Sequence, residues 1–464
     1  MQEIESQEES KGIFYSARQA IKHHMSGGNV LILVTILAFV IANIPSISGH
    51  YSAFWMQEVR FQLGDFNLFS HGEHPMTLLQ FINDALMAIF FFSIGLEIKR
   101  EVLVGELSSI KKALLPIIAA FGGMIVPVLV FLYFGYNTDY AGGSAIPMAT
   151  DIAFSLGVLG MLRTRVPISL KVFLTTLAVA DDIGGIVVIA IFYSSHINIM
   201  MLVYAALLLG LLLLGSYMKI KSKMFYIFVG VIVWYFFLNS GIHSTIAGVL
   251  VAFCIPATPV YEPSLYIKKI KKAISHISSD DVDLNKRSIL TNKQIDWLKQ
   301  VESASDKVIS PLQDLEDTLS PMVNYLIIPL FAFANAGVVL TGMDISTVFS
   351  GVSLAIICGL VIGKVVGIFS FSWMAIKMRI VPMPHKSNWK MLMSVAMLGG
   401  IGFTVSMFIA NLSFGAENNY NAELLNQSKL GIVVGSIVSG VLGYMLLRIN
   451  LPKENELEET NEEE

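Results

Sequence analysis

The fold class this sequence predicts is an all-α polytopic membrane protein of about twelve transmembrane helices. Three observations carry that expectation. Of 464 residues, 54% are apolar and only 14% charged, against roughly 25% charged in a soluble domain. The mean hydropathy is +0.66. The apolar residues gather into blocks of about 15 to 27, lengths that match a bilayer core of ~30 Å. Together they exclude an ordinary soluble enzyme, and the net charge of -4 with its basic residues in short loops gives no reason to expect nucleic acid. Both cysteines, Cys254 and Cys358, fall in apolar segments, so no disulfide framework is expected. The acidic opening MQEIESQEES has no signal-peptide pattern.

Read in order, the apolar blocks lie near Gly28–Ile47, Thr77–Leu103, Ala113–Gly135, Ser144–Leu162, Ile168–Ser194 and Ile199–Tyr217. They continue near Met224–Leu238, Gly241–Ile255, Ser320–Leu340, Leu354–Ile376, Met391–Leu412 and Leu425–Ile449. Several fall short of the ~20 residues a straight span needs, which predicts half-helices or spans shielded by protein. Cytoplasmic loops are enriched in Lys and Arg. With both termini in the cytoplasm, all of the 31 basic residues except Arg60, Lys364 and Lys429 fall inside. A miscounted span would scramble that alternation.

The expected organisation is a cytoplasmic N-terminal segment over 1–27, a membrane domain over 28–450, and an acidic tail over 451–464 whose seven glutamates after Lys453 predict disorder. Within 51–70, VRFQLGDFNLF alternates around Gly64–Asp65 and predicts an external β-hairpin, either a loop over helix ends or a dimer contact. The charged stretch Glu262–Ser310 predicts cytoplasmic amphipathic helices or a flexible linker.

The informative residues are ionisable groups where lipid should be. Asp181 and Asp182 sit mid-way along Ile168–Ser194, Asp151 lies in the preceding span, and Lys364 lies in Leu354–Ile376. Each costs roughly 2.5–3.5 kcal/mol if it faces lipid, so the four together would cost on the order of 10–14 kcal/mol. They must face one another or a water-filled cavity. A purely structural Asp–Lys pair would need one carboxylate, and the sequence supplies three.

Adjacent helical residues point about 100° apart, so Asp181 and Asp182 cannot share one partner face-on. One carboxylate toward Lys364 and the other toward a cavity is the sensible division. A carboxylate that takes up a proton and also ligates a small hard cation makes the two compete, which is the minimum chemistry for exchange. Helix breakers flank these groups: Gly142, Gly143 and Pro147 before Asp151, and Gly399, Gly400 and Gly402 in the eleventh span. Paired Gly/Pro-interrupted segments point to a transporter's substrate site.

The segments ATDIAFSLGVLG, LAVADDIGG, LFAFANAG, GLVIGKVVGI and GGIGFT resemble the signatures of the NhaA family of bacterial sodium/proton antiporters, and INDALMAIFFFSIGLEIKRE and NSGIHSTIAGV are similar to it too. The resemblance covers nearly the whole chain except Glu262–Ser310 and the termini. It implies inverted repeats over spans three to five and ten to twelve, with the broken helices of spans four and eleven crossing at the midplane. It implies electrogenic exchange of cytoplasmic Na+ or Li+ for external H+ in the bacterial inner membrane, for sodium and pH homeostasis, without a cofactor. Asp182 and Asp181 would carry the cation and protons, with Thr150 nearby. Asp151 would balance the crossed helices, and Lys364 would pair with Asp181 when no cation is bound. Glu97, Glu101, Glu316 and His243 would belong to the pH response, and 51–70 would join a homodimer. Two positions depart from the pattern, since Asp317 and Ser320 stand where relatives carry histidines, the residues whose ordinary titration range suits sensing.

Other functions fit less well. An intramembrane aspartyl protease would show a GxGD pattern, which is absent, and would leave Lys364 without a task. A sodium-coupled symporter of an organic solute would need arginine or extra amides at the midplane, and the spans hold no arginine there. A channel would not pair adjacent carboxylates with a lysine, an arrangement suited to tight binding.

Overall fold

The computed structural model describes residues 27–63, 66–71, 74–162, 165–194, 197–258, 263–277, 292–339, 348–415 and 421–451. The turn Gly64–Asp65, most of the expected N-terminal segment and the acidic tail beyond Leu451 lie outside the described residues.

In chain order the helices are α1 Gly27–Ala42, α2 Ser48–Trp55, α3 Leu78–Leu103, α4 Ile110–Gly135, α5 Ile152–Gly160, α6 Ile168–Phe192, α7 Ile199–Tyr217 and α8 Lys223–Leu238. There follow α9 Thr245–Cys254, α10 Pro263–Ile277, α11 Asn292–Val308, α12 Pro311–Asn335, α13 Gly351–Lys377, α14 Trp389–Leu398, α15 Phe403–Phe414 and α16 Ala422–Asn450. Among the described residues, 8 helices are long and apolar enough to cross a membrane, or 9 when the bent pair α14–α15 is one span. Three more, α1, α8 and α9, are apolar but shorter. Helices dominate because lipid offers no hydrogen bonds, so each spanning segment must satisfy its own backbone. Large apolar side chains such as Leu129, Leu207, Phe228 and Ile449 point outward, a surface that hydrocarbon covers. The chain is an integral membrane protein.

Two spans are broken. The fourth runs through short 3₁₀ turns at Ala141–Gly143 and Ile146–Met148, becomes extended at Ala149 and Asp151, and restarts as α5. The eleventh bends by 46° between α14 and α15, at Gly399–Gly402. Beside them α4 and α13 pack at very short range. A Cβ on Gly122 would strike the carbonyl oxygen of Gly367, and one on Gly367 that of Gly122. Only glycine permits that approach, the small-residue packing that replaces the hydrophobic effect between membrane helices. Single π-helical turns interrupt α3 at Ile82–Leu86, α12 at Val323–Ile327 and α13 at Gly359–Gly363, the last directly before Lys364. Such turns recur at functional sites because one extra residue re-aims the side chains that follow.

Two segments differ from expectation. The 51–70 stretch begins as helix, since α2 continues to Trp55, and the strands come later. Gln62–Leu63 pairs antiparallel with Phe66–Asn67, and Ser70–His71 with His74–Pro75. Helix through Trp55 is favoured because its ring, with Tyr51, packs on Phe333. The ninth span starts at Pro311 rather than near Ser320. Ser310 and Gln313 form a capping box and Pro311 takes the first helical turn, so the helix nucleates in the charged stretch. Within Glu262–Ser310, α10 and α11 pack against each other. The Leu312 N–H donates to the Pro256 carbonyl at 3.2 Å, bringing the two ends of that excursion together.

Candidate functional site

Mid-way along α6, Asp181 and Asp182 are both buried and diverge as adjacent helical positions must. Asp181 faces Lys364 on α13, whose ammonium donates to its Oδ2 at 2.5 Å with both side chains fully shielded. The same ammonium donates to the Thr150 hydroxyl at 2.9 Å. That hydroxyl has one proton, and two acceptors lie within reach: Asp181 Oδ2 at 2.7 Å and the Gly399 carbonyl at 2.9 Å. Among the described residues, Asp181 Oδ1 has no hydrogen-bond partner.

Asp182 points the other way. It lines a cavity of about 290 Å³ with Thr150, Asp151, Thr404, Glu97, Glu316, Ser320 and Asn324. Carboxyl and hydroxyl groups share its wall with apolar side chains such as Phe90, Leu156 and Ile328. The cavity runs toward the end of α3, where Arg100 pairs with Glu316 at 2.8 Å and with Glu101 at 3.1 Å. Of the cavity's oxygen donors, Asp182 and Thr150 stand beside the Lys364–Asp181 pair. Hard oxygen donors suit a small hard cation.

Asp151 sits where the broken spans cross. Its Oδ1 accepts the Phe154 N–H at 3.1 Å, capping α5. Its Oδ2 accepts the Thr404 N–H at 3.0 Å and the Thr404 hydroxyl at 2.6 Å, at the start of α15. One carboxylate thus serves the positive ends of two half-helices, a favourable place for a negative charge. Serines reinforce the crossing reciprocally. Ser155 on α5 donates to the Leu398 carbonyl that ends α14 at 3.0 Å, and Ser406 on α15 donates to the Ile146 carbonyl at 2.7 Å. Free backbone ends at each break are satisfied by the opposite span.

The residues that the resemblance ties to a pH response lie in two places. Glu97 and Glu316 line the cavity, and Glu101 lies beside them, joined to Arg100 and to the Glu106 N–H. His243 lies elsewhere, its Nε2 3.4 Å from Asp84 on α3 and its Nδ1 2.8 Å from the Thr245 hydroxyl. Asp84 is a site feature that sequence reading missed, though it is a buried acid within the INDAL segment. Thr404 was also missed, and it stands in the GGIGFT segment that marked the eleventh break. The signal for Thr404 was a polar side chain beside an already suspected backbone defect, and that for Asp84 was an acid inside an apolar span.

The whole-chain comparisons accord with this geometry. Residues 18–447 match the family described as Na+/H+ antiporter 1. The chain belongs to that family. It is 52% identical over 441 residues to the Na+/H+ antiporter NhaA of Phocaeicola vulgatus, covering 95% of this chain and 97% of that protein. It is 55% identical over 427 residues to the NhaA of Bacteroides fragilis, covering 92% and 96%. The NhaA of Salmonella paratyphi B is 42% identical over 427 residues, again covering 92% and 96%. Membership of this antiporter family makes the chain a transporter rather than an enzyme.

Proposed function

We propose that this antiporter exchanges cytoplasmic Na+ or Li+ for external H+, with Asp182 and Asp181 as the shared carboxylates. The single observation that carries the reading is the division of the two acids, Asp182 on a cavity shared with other carboxyl and hydroxyl groups and Asp181 bound to Lys364. Na+ enters from the cytoplasm and meets Asp182 and the Thr150 hydroxyl. As Asp181 turns to the cation, Lys364 lets go and sheds a proton. The broken-helix bundle then shifts, Na+ leaves outside, and the acids and lysine take up protons that the return step delivers inside. More protons enter than Na+ leaves, so the cycle is electrogenic, and a membrane potential drives it by about 2.3 kcal/mol per charge per 100 mV. Sodium and pH homeostasis are the physiological consequence.

In this reading α1, α8 and α9 complete a set of twelve spans with both termini in the cytoplasm of an inner membrane. Spans three to five and ten to twelve form inverted repeats, which the reciprocal Ser155 and Ser406 contacts support. Asp151 compensates the half-helix ends, Glu97, Glu101 and Glu316 tune pH response at the inner mouth, and His243 contributes through Asp84. The 51–70 region joins two copies.

The test uses energised inside-out vesicles with a luminal pH dye. Added Na+ or Li+ should alkalinise the lumen, and Asp182→Asn should abolish that response while leaving folded protein in the membrane. Normal exchange by Asp182→Asn sinks the site assignment.

A further inference from the structure

Three asparagines form an unbroken chain of hydrogen bonds on one side of the site. Asn335, fully buried at the end of α12, donates from Nδ2 to Asn83 Oδ1 on the π-helical turn of α3 at 2.9 Å. Its Oδ1 accepts from Asn411 Nδ2 on α15 at 2.8 Å. Each amide nitrogen gives its second proton to the carbonyl one turn back on its own helix, Asn335 to Phe331 at 3.0 Å and Asn411 to Met407 at 2.8 Å. Those local bonds fix which end of each amide is nitrogen, so the direction of the chain follows from its ends. Both donors of each are spent, and the Asn335–Asn411 bond is the step that crosses from α12 to the broken span.

Its position gives it a task. Asn411 lies seven residues beyond Thr404 along α15, about 10 Å at 1.5 Å per residue, on the side away from Glu97 and Glu316. The Asp182 cavity is lined by Glu97 late in α3 and by Glu316, Ser320 and Asn324 in the first half of α12, whereas Asn83 and Asn335 stand toward the opposite ends of those two helices. The asparagine chain therefore stands on the far side of the acids. Between it and the acids Phe408 of α15 packs on Phe91 of α3, 5.4 Å between rings, and on the His243 ring. Aromatic contacts close that side without specifying direction. The asparagines add the directional bond that must break if α15 is to move away from α3 and α12.

We infer that the Asn335–Asn411 bond is the outer latch of the transport cycle, a positioning device that holds the cavity open inward, with Asn83 aiming Asn335. This rests on the exchange reading above and deepens it. The latch biases one conformational equilibrium and takes no part in ion binding, so its loss moves populations rather than the site. If the latched state dominates, weakening it enlarges a small outward-open population, and apparent affinity from outside improves by that factor. Loss of one net buried hydrogen bond corresponds to about a three- to tenfold change.

The experiment measures Na+ KM separately from the two faces in oriented proteoliposomes, for the parent, Asn411→Leu and Asn411→Ser. The serine variant keeps a hydroxyl able to bond its own helix carbonyl, as Ser413 does with Ile409, yet is too short to reach Asn335. It guards against a leucine variant that fails to fold. The latch predicts an outer-face KM lowered about three- to tenfold, an inner-face KM unchanged or raised, and no further effect of adding Asn335→Leu. Asn83→Leu should give a smaller shift in the same direction. KM values that move together at both faces, or at neither, overturn it. A parent protein without Na+-driven proton movement would instead overturn the exchange reading.

Discussion

Removing the Lys364 ammonium tests the centre of the site most sharply, because the structure allows its cost to be divided. Lys364 and Asp181 are fully shielded, 2.5 Å apart. Replacing Lys364 by methionine keeps most of the aliphatic stem and strands a buried carboxylate, which costs about 3–5 kcal/mol. Replacing it by alanine adds the loss of buried methylenes, at ~0.8 kcal/mol each. Thr150 cannot make good the loss, since its one proton is shared between Asp181 and Gly399. Adding Asp181→Asn to Lys364→Met removes the stranded charge and should restore most of the lost stability, because paired neutral replacement of a buried ion pair is often close to neutral. The assay is reversible unfolding in mixed detergent micelles, read as a double-mutant cycle. A coupling of about 3 kcal/mol is expected. Lys364→Met within about 1 kcal/mol of the parent, or additive single effects, would refute the claim that this pair is held charged and shielded.

Further outcomes follow from the same geometry. Asp151→Ala should destabilise by about 2–4 kcal/mol, since Phe154 and Thr404 both lose their acceptor, whereas Asp151→Asn keeps an oxygen and should lose less than half as much; the same unfolding assay ranks them. Gly367→Ala drives a methyl into the Gly122 carbonyl of a packed helix and should cost about 1–3 kcal/mol, while Gly160→Ala, in open space, should be nearly silent. If proton and Na+ compete at Asp182, lowering pH should raise the Na+ KM by about tenfold per unit for each proton displaced, at constant maximal rate, so the slope counts protons.

The membrane helices were legible because lipid imposes length and apolarity on each one, and the two breaks because Gly142, Gly143 and Pro147, and Gly399, Gly400 and Gly402, cluster within a few residues and weaken the helix there. The special acids and Lys364 stood out by their energetic cost in hydrocarbon. What escaped was polar but neutral or lay beside a stronger signal. Asn83, Asn335 and Asn411 come from three distant segments, and amides occur in spans for many reasons, so only spatial adjacency reveals them. Asp84 was passed over because it lies near the start of its span, where a charge costs less than at the centre. The early start of α12 was hidden by charge, since α12 begins in polar sequence and owes its first turn to the Ser310 cap. The alternation around Gly64–Asp65 does mark the paired strands at Gln62–Leu63 and Phe66–Asn67, whereas the helix through Trp55 precedes that pattern and owes its extent to ring packing on Phe333.

The bond from Leu312 to Pro256 makes the chain between them a detour that departs and returns at one spot. Closing a loop across such a fixed gap depends weakly on its length, about 0.6 kcal/mol for each doubling. A reporter protein with adjacent termini fits there in place of α10 and α11, and so does a turn of a few residues. The spans on either side keep their register in both cases, because Pro256 and Leu312 still find each other. The excursion is a ready-made cargo bay for imaging or affinity handles.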